Sequence, residues 1–183
     1  LAPHAQRALK LARVERALQG LCGEGVSVRF EDSEAVLGYR RRARLAFRKL
    51  GQGAVLGYHA HGSKQIVAVE RCPILTPLLA AALERVRERL VPALEGAGEL
   101  ELDELADGQV SVSLHCQSAV SPALYRAVEL LAAERPITRV ALHVAEGAPA
   151  RYGEPDNTRA LAVDGLPLSA PAHGFSHVNA LVN

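Results

Sequence analysis

The feature that most constrains this chain is an eleven-residue run, Tyr39–Lys49, in which basic and apolar residues alternate. Arg40, Arg42, Arg44 and Arg48 fall on one parity, and Tyr39, Ala43, Leu45 and Phe47 on the other. Period two puts successive side chains on opposite faces of a strand. The run therefore predicts a strand with one face in a core and the other carrying guanidiniums about 7 Å apart. Arg41 stands on the apolar side and reads as a strand-end residue.

Charge over the whole chain hides this feature. The 183 residues carry a net +1, with 49% hydrophobic and 22% charged residues, the balance of a folded domain. Between Gly38 and Val69, however, seven basic residues (those five arginines, Lys49 and Lys64) meet no acid. The remainder holds 14 basic against 20 acidic residues, so the molecule is polarised. Guanidinium forks bind phosphate bidentately, and a row of them suits a nucleic-acid strand. Tyr58 and His59 on the next run offer stacking surface. The competing explanation is an edge strand charged against aggregation, for which one or two lysines suffice.

Other elements follow from local signals. Residues 4–21 read as an amphipathic helix, Val26–Phe30 as a strand, and Ala54–His61 and Gln65–Val69 as partners of the basic strand. A helix is expected over Thr76–Leu90. Glu99–Glu104 and Gln109–Cys116 flank the hairpin signal Asp107-Gly108. Ser121-Pro122 suits an N-cap and first turn, with the helix running to about Glu134. Arg139–Val144 reads as a strand, residues 145–157 as a loop, and Arg159–Val163 with Leu166–Ser169 as a closing hairpin. The expected fold is α+β, with antiparallel sheets and covering helices. No dinucleotide or P-loop glycine pattern occurs. Apolar stretches such as Ile74–Leu83 are too short to span a bilayer, and three cysteines with no signal segment suggest a cytoplasmic setting. His59 and His61 have weak metal-ligand spacing. No nucleophile-elbow pattern supports a hydrolase. The start at Leu1, the lack of Met and the uncapped helix start at Phe175–Asn183 point to a piece of a larger protein.

Four segments occur in order with short spacers: Gly38-Tyr39-Arg40-Arg41-Arg42-Ala43-Arg44-Leu45, Val55-Leu56-Gly57-Tyr58, Ser63-Lys64-Gln65-Ile66-Val67 and Cys72-Pro73-Ile74-Leu75. Together they resemble the RNA (uracil-5-)-methyltransferases, which make 5-methyluridine in ribosomal and transfer RNA. Phe175-Ser176-His177-Val178-Asn179 resembles the segment that leads into that family's methyltransferase domain, with His177 in place of a glutamine.

The resemblance implies a central α+β RNA-binding domain over residues 25–172. It also implies an N-terminal helix region, 1–24, packing on the methyltransferase part, and the start of that part at 173–183. It implies S-adenosylmethionine as cofactor of the parent protein, with Phe175, His177 and Asn179 near it. The family's chemistry adds a cysteine thiolate to carbon 6 of uracil, so that carbon 5 attacks the methyl group. That cysteine lies beyond Asn183, so no catalytic residue is expected here. The bacterial ribosomal branch implies an iron–sulfur cluster, with Cys72 as a fourth ligand and the other three absent; no cofactor is expected bound to this piece. RNA contacts are expected from Arg40, Arg42, Arg44, Arg48, Lys49, Tyr58, His59 and Lys64. The expected partner is RNA, ribosomal rather than transfer, with no membrane and no DNA. A free-standing, non-catalytic RNA-binding module of the same ancestry is the competing expectation.

Overall fold

The computed structural model describes residues 2–20, 28–29, 35–51, 53–105, 107–145, 147–154, 158–163 and 166–171. The chain divides into two units, Leu1–Val36 and Leu37–Asn183. In the first, α1 covers Pro3–Leu18, starting on a proline at its first turn, and none of its residues is buried. The strand expected over Val26–Phe30 lies largely outside the described residues.

The second unit is built on a seven-stranded sheet in the order β3-β2-β1-β4-β5-β6-β7. Its strands are β1 (Arg42–Leu50), β2 (Gly53–His59), β3 (Ile66–Ala68), β4 (Ala97–Glu104), β5 (Val110–Cys116), β6 (Ile137–Val144) and β7 (Ala150–Gly153). Helix α2 (Pro77–Arg89) lies between β3 and β4 in the chain, and α3 (Pro122–Leu131) between β5 and β6. A separate antiparallel pair, β8 (Thr158–Val163) with β9 (Leu166–Pro171), matches the expected closing hairpin.

Alternation decides which face each helix covers. From β1, Ala43, Leu45 and Phe47 point to one side, joined by Leu100 and Leu102 of β4 and Val110, Val112 and Leu114 of β5. Leu79, Ala82, Leu83 and Val86 of α2 and Leu124, Val128 and Leu131 of α3 close this side, and all are buried. Burying each such side chain contributes about 1.5–3 kcal/mol, so this cluster sets which face of β1, β2, β4, β5 and β6 turns inward. Gly98 makes room for it: a Cβ there would lie 2.6 Å from the Phe47 ring. Thr76 caps α2, its Oγ1 accepting from the Leu79 N–H at 3.3 Å.

The structure corrects four expectations. The sheet is mixed, because β5 and β6 run parallel across α3; a parallel pair needs such a crossover. Residues 145–157 are not all loop, since β7 pairs with the outer side of β6. Ser121 precedes α3 as expected, but its hydroxyl makes no cap hydrogen bond. The strand through Tyr58 ends at His59, leaving His61 in a turn. The hairpin at Asp107-Gly108 is present: Gly108 has φ +72°, and the Gln109 N–H donates to Asp107 Oδ1 at 3.1 Å.

Candidate nucleic-acid interface

The face of the sheet away from α2 and α3 is polar, and register explains its content. Arg44 of β1 pairs with Glu101 of β4, which pairs with Ser113 of β5. One row along, Arg42, Asp103, Ser111 and Arg139 follow one another across four strands. On the other side, Glu99, His115 and His143 form a third row.

This arrangement neutralises half of the arginine row. Arg42 Nη2 lies 3.1 Å from Glu101 Oε2, and its Nε lies 3.3 Å from Asp103 Oδ1. Arg44 Nε lies 3.2 Å from Glu101 Oε1, and its Nη2 donates to Glu99. Glu101 is 6% exposed and Asp103 1% exposed. Buried carboxylates of this kind persist only when paired, so Arg42 and Arg44 hold the sheet together as well as presenting charge. Arg41 pairs with Glu104. The acid-free stretch seen in one dimension is matched in three by the acids of β4.

Arg40 leaves the row altogether. The regular ladder of β1 begins at Arg42, and Arg40 instead bridges to Leu75, its N–H donating to the Ile74 carbonyl at 2.7 Å. Its guanidinium and the Cys72 thiol both come within reach of the Tyr58 phenol. Burial pushes the Tyr58 phenol up, and Cys72 adds to the rise while Arg40 opposes it. Tyr58 is directed to the helix-covered face, in register with Val67, and packs against the core. It therefore stands on the opposite side of the sheet from Arg44 and Arg48.

What remains open on the polar side lies at the two ends of β2. Arg48 is exposed opposite Val55, beside the β1–β2 turn, whereas His59, opposite Ile66, and Lys64, in the turn after β2, are exposed at the other end. Lys49 is half-buried on the other parity, opposite Ala54. Among the described residues none of these four forms an ion pair. The rings of His115 and His143 stack with centroids 4.1 Å apart, a feature the sequence did not announce.

Cys72 lies half-buried just before α2, on a cavity of about 510 Å³ lined also by Leu37, Pro73, Leu75 and Leu83. The described residues do not fit an iron–sulfur cluster by themselves. They offer one partly exposed thiol, and no group of three or more His, Cys, Asp and Glu is placed to hold a metal. Cys116 is buried in β5, and burial pushes its thiol up to about 11, which disfavours the thiolate a ligand requires. Phe175, His177 and Asn179 lie outside the described residues. No described helix is long and apolar enough to cross a membrane.

No family model matches the chain. It is 28% identical over 188 residues to the 23S rRNA (uracil(1939)-C(5))-methyltransferase RlmD of Pectobacterium carotovorum, covering 98% of this chain and 41% of that protein. Identity rises to 40% over 83 residues with RlmD of Cronobacter sakazakii, covering 43% of this chain and 19% of that protein. The chain thus spans about two fifths of the length of the curated relatives it matches along its whole length. In fold it is similar to the Pyrococcus abyssi tRNA (uracil-54, C5)-methyltransferase crystallised with S-adenosyl-L-homocysteine. The TM-score is 0.67 at 17% identity, over 100% of this chain and 46% of that one. The ordered motifs and these likenesses agree: the chain is similar to RNA uracil-C5-methyltransferases over about two fifths of their length.

Proposed function

We propose that this chain is the RNA-holding central part of an S-adenosylmethionine-dependent RNA uracil-C5-methyltransferase that acts in the cytoplasm on 23S ribosomal RNA. Support for the ribosomal substrate comes from relatives named for that RNA, similar along nearly the whole chain. S-adenosylmethionine supplies the methyl group in such an enzyme. The chain's own residues do the holding. Arg48 beside the β1–β2 turn, and His59 and Lys64 at the other end of β2, meet the phosphate backbone, and Lys49 adds charge next to Arg48. Arg42 and Arg44 hold the strand in place and lend Arg44's exposed edge to the same surface. Residues 1–24 are assigned to the methyltransferase side and 173–183 to the start of the cofactor-binding part, where Phe175, His177 and Asn179 act.

The observation that carries this is the separation within one strand of ion-paired arginines from an exposed Arg48 that pairs with nothing described. Cys72 is proposed as a cluster ligand only together with three thiols from outside the described residues. Neither described cysteine is placed as a nucleophile: the Cys116 thiol is held neutral, and Cys72 adjoins the packed start of α2. The test is direct. The 183-residue chain, given RNA and labelled S-adenosylmethionine, should bind RNA and transfer no methyl group. Transfer above background would place catalysis within this chain and refute the assignment.

A further inference from the structure

A second surface lies across the sheet from the arginine strand, at the β7 edge. There Tyr125 of α3 and Tyr152 of β7 line one open cavity of about 600 Å³, with Pro122 and Leu130 as apolar wall and Arg126 and Glu129 at the rim. Periodicity explains the convergence. Helix α3 turns Leu124, Val128 and Leu131 into the core, so Tyr125, Arg126 and Leu130 fall on its outward side. Tyr152 is in register with Val140 on the helix-covered face of the outermost strand, where it packs against the core while still bordering the cavity.

The residues are unusual for a solvated helix flank. Tyr125 is 39% and Leu130 52% exposed, and the chain has only four tyrosines in all. Burial, Tyr125 and Glu129 all push the Tyr152 phenol up, so the three side chains lie within electrostatic reach of one another. Arg126 is exposed and forms no ion pair among the described residues. Two aromatic side chains beside an unpaired guanidinium form the usual platform for a flat ring that carries a phosphate. The volume falls within the range of small-ligand sites.

We propose that Tyr125 and Tyr152 form a stacking subsite for an unpaired base of single-stranded RNA, with Arg126 on the adjoining phosphate. This rests on the RNA-holding role proposed above and extends it to an edge of the sheet remote from Arg48. Stacking needs an exposed base face, which a duplex hides, so the subsite selects single strands. Any of the four bases suits it, because each has a π face. Glu129 repels phosphate from its side of the rim and leaves the Arg126 side for the backbone.

The test is a fluorescence-anisotropy titration of the 183-residue chain with a fluorescein-labelled single-stranded RNA, and with the same RNA annealed to its complement. The single strand is also made with 4-thiouridine, irradiated, and its crosslinks mapped by mass spectrometry. Tyr125→Ala should weaken single-strand binding by on the order of tenfold with an unchanged salt slope, while Tyr125→Phe binds as the wild type. Duplex affinity should not respond to either change. Arg126→Gln should lower the salt slope by about one unit, and crosslinks should fall on Tyr125 or Tyr152. If Tyr125→Ala keeps full affinity, or Tyr125→Phe loses as much, the subsite is wrong; a loss on Arg48→Ala in the same titration would leave the RNA-holding role standing. If crosslinks fall on β1 and β2 alone, the subsite is likewise wrong. If the chain binds no RNA at all, both proposals fall.

Discussion

Glu101→Gln removes one charge from the arginine ladder with little change of shape. Two guanidiniums share that carboxylate, Arg42 at 3.1 Å and Arg44 at 3.2 Å, and the residue is only 6% exposed. Removing one partner of a buried pair costs about 3–5 kcal/mol when the surviving charge is stranded. Here Arg42 keeps Asp103 at 3.3 Å, and the Arg44 side chain keeps Glu99 and is 61% exposed. The expected cost is therefore lower, about 2 kcal/mol, most of it from Arg42. For a domain of this size that is a fall in Tm of roughly 4–8 °C. Urea unfolding followed by circular dichroism should show a lower midpoint with the same slope. Arg44→Ala should cost less than about 1 kcal/mol, because its side chain is 61% exposed and Glu101 keeps Arg42 as a partner. The same Glu101→Gln chain should bind RNA more tightly, with a salt slope steeper by up to about one unit, since Arg44 has lost a competitor for phosphate. A variant matching the wild type in both midpoint and RNA affinity would refute the ladder as a structural device.

Two further outcomes follow from the packing. Gly98→Ala should destabilise by about 2–3 kcal/mol, because its Cβ would lie 2.0 Å from the His115 carbonyl oxygen as well as against Phe47; an unchanged urea midpoint would mean that the β4–β5 ladder gives way at no cost. Burial pushes the Cys116 thiol up to about 11, so the unfolded chain loses that proton first as pH rises. The stability this contributes is whole below about pH 9 and is lost progressively toward the folded value, about 2–3 kcal/mol in all. Urea midpoints measured across the alkaline range should fall for the wild type and fall less for Cys116→Ala; identical curves would assign the alkaline loss to other groups.

The alternation in β1 was legible because one parity is almost wholly apolar, and the core confirms it at Ala43, Leu45 and Phe47. The partners of the arginines were legible too, had the same test been applied to β4. Glu99, Glu101 and Asp103 share one parity just as Arg42 and Arg44 do, and two such strands in register neutralise one another. Counting charge along the chain missed this because pairing acts across 59 residues of sequence separation. The parallel pair was hidden by the strong hairpin signal at Asp107-Gly108, which favoured antiparallel neighbours throughout. A helix set between Cys116 and Ile137 was the sign of a crossover. Strand β7 has four residues in a segment rich in Gly and Pro, too short for period two to register, and it exists because β6 offers it an edge. Tyr58 looked available beside His59, but adjacent strand residues point to opposite faces, and the apolar partner Leu56 shares its side.

The central claim is that phosphate is held by Arg48 and His59, exposed on the polar face of β1 and β2, while Arg42 serves chiefly to hold the sheet. The most direct measurement is the RNA affinity of Arg48→Ala, His59→Ala and Arg42→Ala chains, titrated at several salt concentrations with one single-stranded RNA and with Glu84→Gln as control. Arg48→Ala should weaken binding and lower the salt slope by about one unit. Arg42→Ala should lose stability with little change of slope once the folded fraction is allowed for, and Glu84→Gln should change neither. An Arg48→Ala chain that kept its full affinity and slope, beside an Arg42→Ala chain that was folded yet lost both, would contradict the account.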